Sequence, residues 1–209
     1  MIPMELLLPY IAASTLLCLA PGPDNLFVLT HSARYGYRGG WQVILGLCTG
    51  LLVHTSLVAW GLAALLYAYP IALHLIQWAG ALYLLVLAWQ ALFGDHSESP
   101  NQALETRGIM LYRRGIIMNL SNPKISLFFL AFLPQFVANS SLPVAWQLMF
   151  LGGVFILITL LTFGSIAYLA GILGQWLNRS PGIRLWLDRI SGLVFVAIAL
   201  NLLLGSIGG

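Results

Sequence analysis

The run Leu17-Cys18-Leu19-Ala20-Pro21-Gly22-Pro23-Asp24-Asn25 interrupts an apolar stretch that starts near Met4 and resumes at Leu26. An unbroken helix is not expected to pass through it. Pro21 and Pro23 have no amide hydrogen, so the carbonyls of Leu17 and Leu19 lose their helical donors. Gly22 adds backbone freedom at the same point. Asp24 then places a carboxylate directly after the interruption.

What this interruption means depends on the solvent around it, and here composition decides. The chain has 209 residues, 60% of them hydrophobic and 7% charged, with a mean hydropathy of +0.91. A soluble domain carries about 25% charged residues. The chain therefore reads as an integral membrane protein with apolar runs long enough to span as helices. Its net charge of +3 is not a nucleic-acid signal, because the arginines sit in short loops between apolar runs. In hydrocarbon, freed backbone groups survive only where protein or a watery cavity satisfies them. A carboxylate at that depth costs about 2.5–3.5 kcal/mol. A helix interrupted beside an acid is how transporters build a site near the midplane. The competing reading is a proline kink whose acid reaches the interface.

We expect six spans, at about residues 4–30, 40–66, 71–93, 115–137, 142–173 and 187–204. The first is expected to direct insertion itself, since it lacks a basic leader and a small-residue cleavage site. Arg34 and Arg38 follow the first span. Arg107, Arg113 and Arg114 follow the third, and Arg179, Arg184 and Arg189 the fifth. The remaining loops and both ends hold no lysine or arginine. The positive-inside rule makes the three basic loops cytoplasmic and both termini periplasmic. Aromatic residues fit interfacial belts: Trp41, Trp89, Tyr112 and Trp176 inside, Tyr67, Tyr69 and Trp146 outside.

The halves echo one another. Pro23-Asp24 recurs as Pro123-Lys124, with Leu26-Phe27 and Leu127-Phe128 just beyond; Gly80 and Tyr83 resemble Gly192 and Phe195. Three spans per half force opposite orientations. The expected fold is an all-α membrane protein of six transmembrane helices, as two inverted three-helix repeats with helices 1 and 4 broken by proline motifs. Residues 1–93 form the first repeat, 94–114 a cytoplasmic polar loop and 115–209 the second repeat.

The second motif is Asn119-Leu120-Ser121-Asn122-Pro123-Lys124. Pro123 frees the carbonyl of Asn119 and pushes Asn122 out of helical geometry. Lys124, the single lysine of the chain, lies ten residues past Arg114, roughly 15 Å of helix into the membrane. Asp24 is ten residues from Arg34, so the two charges arrive at similar depth from the two halves. Together they complement a zwitterion. Asp24 is the expected seat of an ammonium, and Lys124 or a half-helix N-terminus that of a carboxylate. Asn25, Asn119 and Asn122 are expected to share the site, their amides serving broken backbone or a ligand. A permanent Asp24–Lys124 bridge that only fixes the fold is the alternative.

His54, midway along the second span, is a candidate proton relay with Asp24, and His31 a second at the inner end of the first. A hydrogen-bonded packing histidine is the blander reading. No metal is expected, because the four histidines lack ligand spacing. Cys18 and Cys48 form no C-x-x-C pair and read as reduced, buried thiols. Gly46-x-x-x-Gly50 reads as a close helix approach. Thr159, Thr162 and Ser165 line a pathway or bond their own backbone.

These motifs carry a family resemblance. LAPGPDNLFVLTHSARYGYRGG, GLLVH, QWAGALYLLVLAWQAL and NLSNPKISLFFLAFLPQF resemble the first four spans of the LysE/RhtB family of amino-acid exporters. The resemblance covers nearly the whole chain. It implies a bacterial inner-membrane exporter of amino acids or their derivatives, driven by the proton gradient and needing no cofactor. Asp24 and Lys124 fall on the family's Pro-Gly-Pro-Asp and Asn-Pro-Lys positions. Its expected partners are an amino-acid substrate, protons and the lipid bilayer, with a homo-oligomer left open. The alternatives are a metal-ion exporter, which lacks its clustered ligands here, and a thiol-transferring membrane oxidoreductase, which lacks a suitably spaced cysteine pair.

Overall fold

The computed structural model describes residues 2–20, 22–62, 71–93 and 108–179, with scattered positions from 186 to 203. Pro21, Tyr67, Tyr69, residues 94–107 and most of the expected sixth span lie outside the described residues. Among the described residues the chain is helical throughout, without strands. α1 is Met4–Leu19 and α2 is Pro23–Ser56, which continues as a π-helical turn, Leu57–Leu62. α3 is Ile71–Phe93 and α4 is Gly108–Leu120. α5 is Pro123–Leu127, running on through a π turn, Phe128–Phe132, and a 3-10 turn, Leu133–Phe136. α6 is Val144–Arg179.

Among the described residues two helices are long and apolar enough to cross a membrane, Tyr35–Gly61 and Val144–Ala170, with mean hydropathies of 1.8 and 2.2. Two bent pairs pass the same test: Met4–Leu19 with Pro23–Ala33, at 60°, and Gly108–Leu120 with Pro123–Phe136, at 51°.

α2 differs from expectation. Helix reaches Ala33 and resumes at Tyr35, where sequence led us to expect a loop around Arg34 and Arg38. The chain kinks between these segments, and the backbone leaves helical geometry at Gly36, at φ 73° and ψ 173°. Glycine reaches that backbone region with little steric cost. The flanking Tyr and Arg residues are compatible with helix, so hydropathy alone placed the ends too far apart. α4 likewise begins at Gly108, seven residues earlier than the expected fourth span, because Ile109, Met110 and Leu111 are good helix formers.

α2 packs along both α4 and α6. Its seam with α4 is glycine against glycine. A Cβ on Gly46 would meet the Tyr112 carbonyl and lie 3.0 Å from Gly115 Cα; one on Gly115 would lie 2.5 Å from the Val43 carbonyl. Gly46 thus brings two backbones together, while Gly50, one turn on, makes room for the Asn119 side chain. Val43, Ile44, Leu47, Leu51, Leu111, Leu148 and Leu151 are buried around these contacts. Behind them lies an aromatic cluster, in which Phe128 packs 5.2 Å from Phe155 and Tyr10 5.1 Å from Phe136. The outer faces are no less apolar: Leu45, Leu52, Leu82, Leu157 and Leu161 are exposed. Such a surface suits lipid and would associate in water.

Candidate functional site

α1 ends with the Ala20 N–H donating to the Leu16 carbonyl at 2.8 Å. α2 begins after an extended Gly22, with Pro23 in its first turn and no side-chain cap. The carbonyls near the end of α1 therefore need donors from elsewhere. Lys124 Nζ donates to the carbonyls of Leu17 and Ala20, at 3.2 Å each. Asn25 Nδ2 donates to the Cys18 carbonyl at 2.7 Å. Gly22 leaves room for the ammonium: a Cβ there would stand 3.2 Å from Lys124 Nζ. A cation at the C-terminus of α1 also meets the negative end of the helix dipole.

The partner gap lies between α4 and α5. Asn122, extended at φ −81° and ψ 104°, is the N-cap of α5. Its Oδ1 accepts from the Lys124 N–H at 3.1 Å. Its carbonyl accepts from the N–H groups of Ile125 and Ser126, both at 3.1 Å. Asparagine suits this position because its short side chain reaches back to an orphan donor of the first turn. Its other end crosses to α2: Asn122 Nδ2 donates to Asp24 Oδ2 at 3.0 Å.

Asp24, Asn122 and Lys124 thus form one buried cluster where the two gaps meet. Asp24 is 4% exposed and Lys124 8%. Asp24 Oδ1 is buried with no hydrogen-bond partner among the described residues. Asn119, 2% exposed, has its Oδ1 in the same condition, packed against Gly50. Buried polar atoms without partners are rare in native structures, and each calls for an explanation.

The remaining sequence candidates fall around this cluster. His54 Nε2 donates to the Asn119 carbonyl at 3.4 Å, so the structure joins it to Asn119 and not directly to Asp24. His31 is buried, donates through Nδ1 to the Phe27 carbonyl at 3.0 Å and packs on the Phe27 ring. Arg114 lies over the same ring, 5.2 Å from its centroid. Cys18 and Cys48 are free, buried thiols, as sequence suggested. Cys18 Sγ lies 3.6 Å from Thr159 Oγ1, on the α1 face that meets α6. Ser165 bonds the Leu161 carbonyl of its own helix and is not part of the cluster. Among the described residues no three His, Cys, Asp or Glu side chains come together to hold a metal. A groove of about 420 Å³, lined by Trp41, Leu161, Ser165 and Tyr168, opens on the outer face, away from the cluster.

Sequence reasoning missed four buried polar groups, Ser14, Ser32, Thr55 and Gln147. Ser14 lies on the same face of α1 as Cys18, four residues earlier, with its Oγ unpartnered among the described residues. Gln147 ties the turn before α6, donating to the carbonyls of Ala138 and Leu142 at 3.1 and 2.8 Å. A single amide in an apolar helix leaves no pattern to read, although burial of a lone glutamine implies such partners.

A sequence model of the family described as LysE type translocator matches residues 15–206. The chain is 34% identical over 192 residues to a homoserine/homoserine lactone efflux protein of Salmonella typhi, covering 90% of this chain and 91% of that one. It is 29% identical over 201 residues to a leucine efflux protein of Salmonella choleraesuis, covering 92% of each. It is 27% identical to the uncharacterized membrane protein YrhP of Bacillus subtilis, covering 95% of this chain and 98% of that one. No solved structure matches it.

Proposed function

Because this chain belongs to the LysE type translocator family, a family of transporters and not of enzymes, we propose that it is a secondary active exporter of amino acids or amino-acid derivatives across the bacterial inner membrane. The relatives named for homoserine, homoserine lactone and leucine efflux support that substrate range. We take each bent pair as one broken span, giving six spans in two inverted repeats, residues 1–93 and 115–209, around a cytoplasmic segment, 94–114. Both termini then face the periplasm. The oxidoreductase alternative falls with the family.

The observation that carries the mechanism is the buried Asp24 Oδ1, without a hydrogen-bond partner among the described residues, in one cluster with the buried Lys124. Asp24 receives the substrate ammonium. Asn25, Asn119 and Asn122 shape the site, and Lys124 balances its charge while holding the end of α1. The site lies where both repeats are interrupted at Pro21, Gly22, Pro23 and Pro123. Export is coupled to protons entering the cell: Asp24 releases its proton inward, takes the ammonium, and is reprotonated from outside when the substrate leaves. His54, through Asn119, is the companion relay.

Efflux from cells that overproduce the protein tests the reading. Cells preloaded with labelled amino acids, one per side-chain class, should lose at least one of them several-fold faster than cells carrying the empty vector. Equal rates across the panel would refute the exporter assignment.

A further inference from the structure

We infer that the α1 face that meets α6 carries the proton: Ser14 and Cys18 of α1 and Thr159 of α6 form a file of hydrogen-bonding groups that reprotonates Asp24 from the periplasmic side. The inference rests on the exporter reading above and supplies the route by which its proton reaches the site.

A serine or threonine in an apolar helix commonly bonds a carbonyl of the preceding turn. Thr15, Thr49, Thr55 and Ser165 all do so, at 2.7–3.0 Å. Ser14 and Thr159 depart from this habit. Ser14 Oγ is buried with no hydrogen-bond partner among the described residues. Thr159 Oγ1 turns to Cys18 Sγ, 3.6 Å away on the facing helix. Tyr10, Ser14 and Cys18 follow one another at four-residue spacing, so they stack on one face of α1. From Tyr10 to Cys18 is about 12 Å of helix. The inner end of this file reaches the site. The Cys18 carbonyl accepts from Asn25 and that of Leu17 from Lys124. Among the described residues the titratable groups within electrostatic reach of Cys18 are Asp24, Lys124, Cys48 and Tyr10. Asp24 Oδ1, buried without a partner among those residues, is the destination of the proton.

The face suits a proton and not the substrate. Tyr10, Ser14, Cys18 and Thr159 are each at most 5% exposed, and Phe136 packs 5.1 Å from the Tyr10 ring. An amino acid cannot pass there unless the helices part. A proton needs only groups that accept one hydrogen and give up another, as hydroxyls and thiols do. Side chains four residues apart on a helix stand about 5–6 Å from one another, a gap that one water bridges. A proton arriving through such a water binds Ser14 Oγ, while the hydrogen of Ser14 passes through a second water to the Cys18–Thr159 pair. The pair passes one hydrogen on to Asp24 Oδ1. Each group takes one hydrogen and gives one, so the file ends neutral and nothing is oxidised. Ser14→Ala and Thr159→Val keep the shape of these side chains and remove the carriers.

Two assays of the full chain in proteoliposomes separate the proton from the substrate. In one, an acidic interior drives accumulation of labelled leucine or homoserine, and every cycle requires Asp24 to lose and regain a proton. In the other, the labelled amino acid exchanges for the same unlabelled one at equal pH, and the loaded site shuttles without a proton. Ser14→Ala combined with Thr159→Val should lower the ratio of the first rate to the second by about tenfold or more, the low side of what a positioned proton carrier contributes. Ser14→Thr combined with Thr159→Ser, which keeps both hydroxyls, should recover most of that ratio. A wild-type ratio in the chain without the hydroxyls overturns the inference and leaves the exporter standing. An equal fall in the chain that keeps them does the same, since it marks a packing role. A wild-type chain that neither accumulates nor exchanges either probe removes the exporter reading and the inference with it. Should the first double variant fail to fold, Ser14→Ala alone, one oxygen fewer, is scored by the same ratio.

Discussion

Lys124 and the prolines act on the same atoms. Pro21 leaves the Leu17 carbonyl without its helical donor, and the Lys124 ammonium reaches that carbonyl from the other half of the chain. Lys124→Met therefore leaves Leu17 and Ala20 without this donor, at about 1–3 kcal/mol each, and leaves Asp24 without a nearby cation. Asp24→Asn removes the acid but keeps a group able to meet Asn122. In detergent, Lys124→Met should unfold at a clearly lower temperature than Asp24→Asn. The double variant should be more stable than the sum of the two losses, by a coupling of about 1–3 kcal/mol, without regaining transport. Strict additivity would mean that the two charges do not interact. Sequence brought both charges to one depth and marked the Leu17 carbonyl as needing a donor. It did not join those statements, because hydropathy sets charge against charge and does not show that a lysine can satisfy an exposed helix end.

At the scale of elements, the α2–α4 seam and the gap between α1 and α2 make separate predictions. Gly115→Ala places a Cβ 2.5 Å from the Val43 carbonyl, a backbone atom that cannot swing aside. It should cost about 1–3 kcal/mol, read as a lower thermal midpoint. Gly153→Ala, with nothing within 4 Å of the added Cβ, should be neutral or slightly stabilising. Equal effects would refute the backbone-to-backbone seam. Replacing Pro21, Gly22 and Pro23 together by alanine should favour a continuous helix, keep membrane insertion and reduce export at least tenfold, roughly what a misplaced site costs. Normal export would detach the gap from function. How much of this was readable varies with the signal. α3, Ile71–Phe93, matches the expected third span, because Pro70 before it and Gly94-Asp95 after it punctuate the apolar run. The Gly36 kink was blurred, since the residues around it suit helix and interface alike. The Gln147 tie left no pattern at all.

For the whole molecule, the arginine asymmetry predicts that alkaline phosphatase fused after Gly209 is active and that a fusion within residues 94–107 is inactive, with the converse for a cytoplasmic reporter. A C-terminus active only as a cytoplasmic fusion would reverse or undo the proposed inverted-repeat plan. In the proposed mechanism Asp24 carries substrate and proton through a site where two interrupted helices meet. Proteoliposomes with an acidic interior test it most directly, because an antiporter then accumulates labelled leucine or homoserine as protons leave. Wild-type vesicles should accumulate label until a protonophore collapses the gradient, while Asp24→Asn vesicles of equal protein content should hold no more than empty liposomes. Accumulation by Asp24→Asn at the wild-type level, or wild-type uptake indifferent to the pH gradient, would contradict the account.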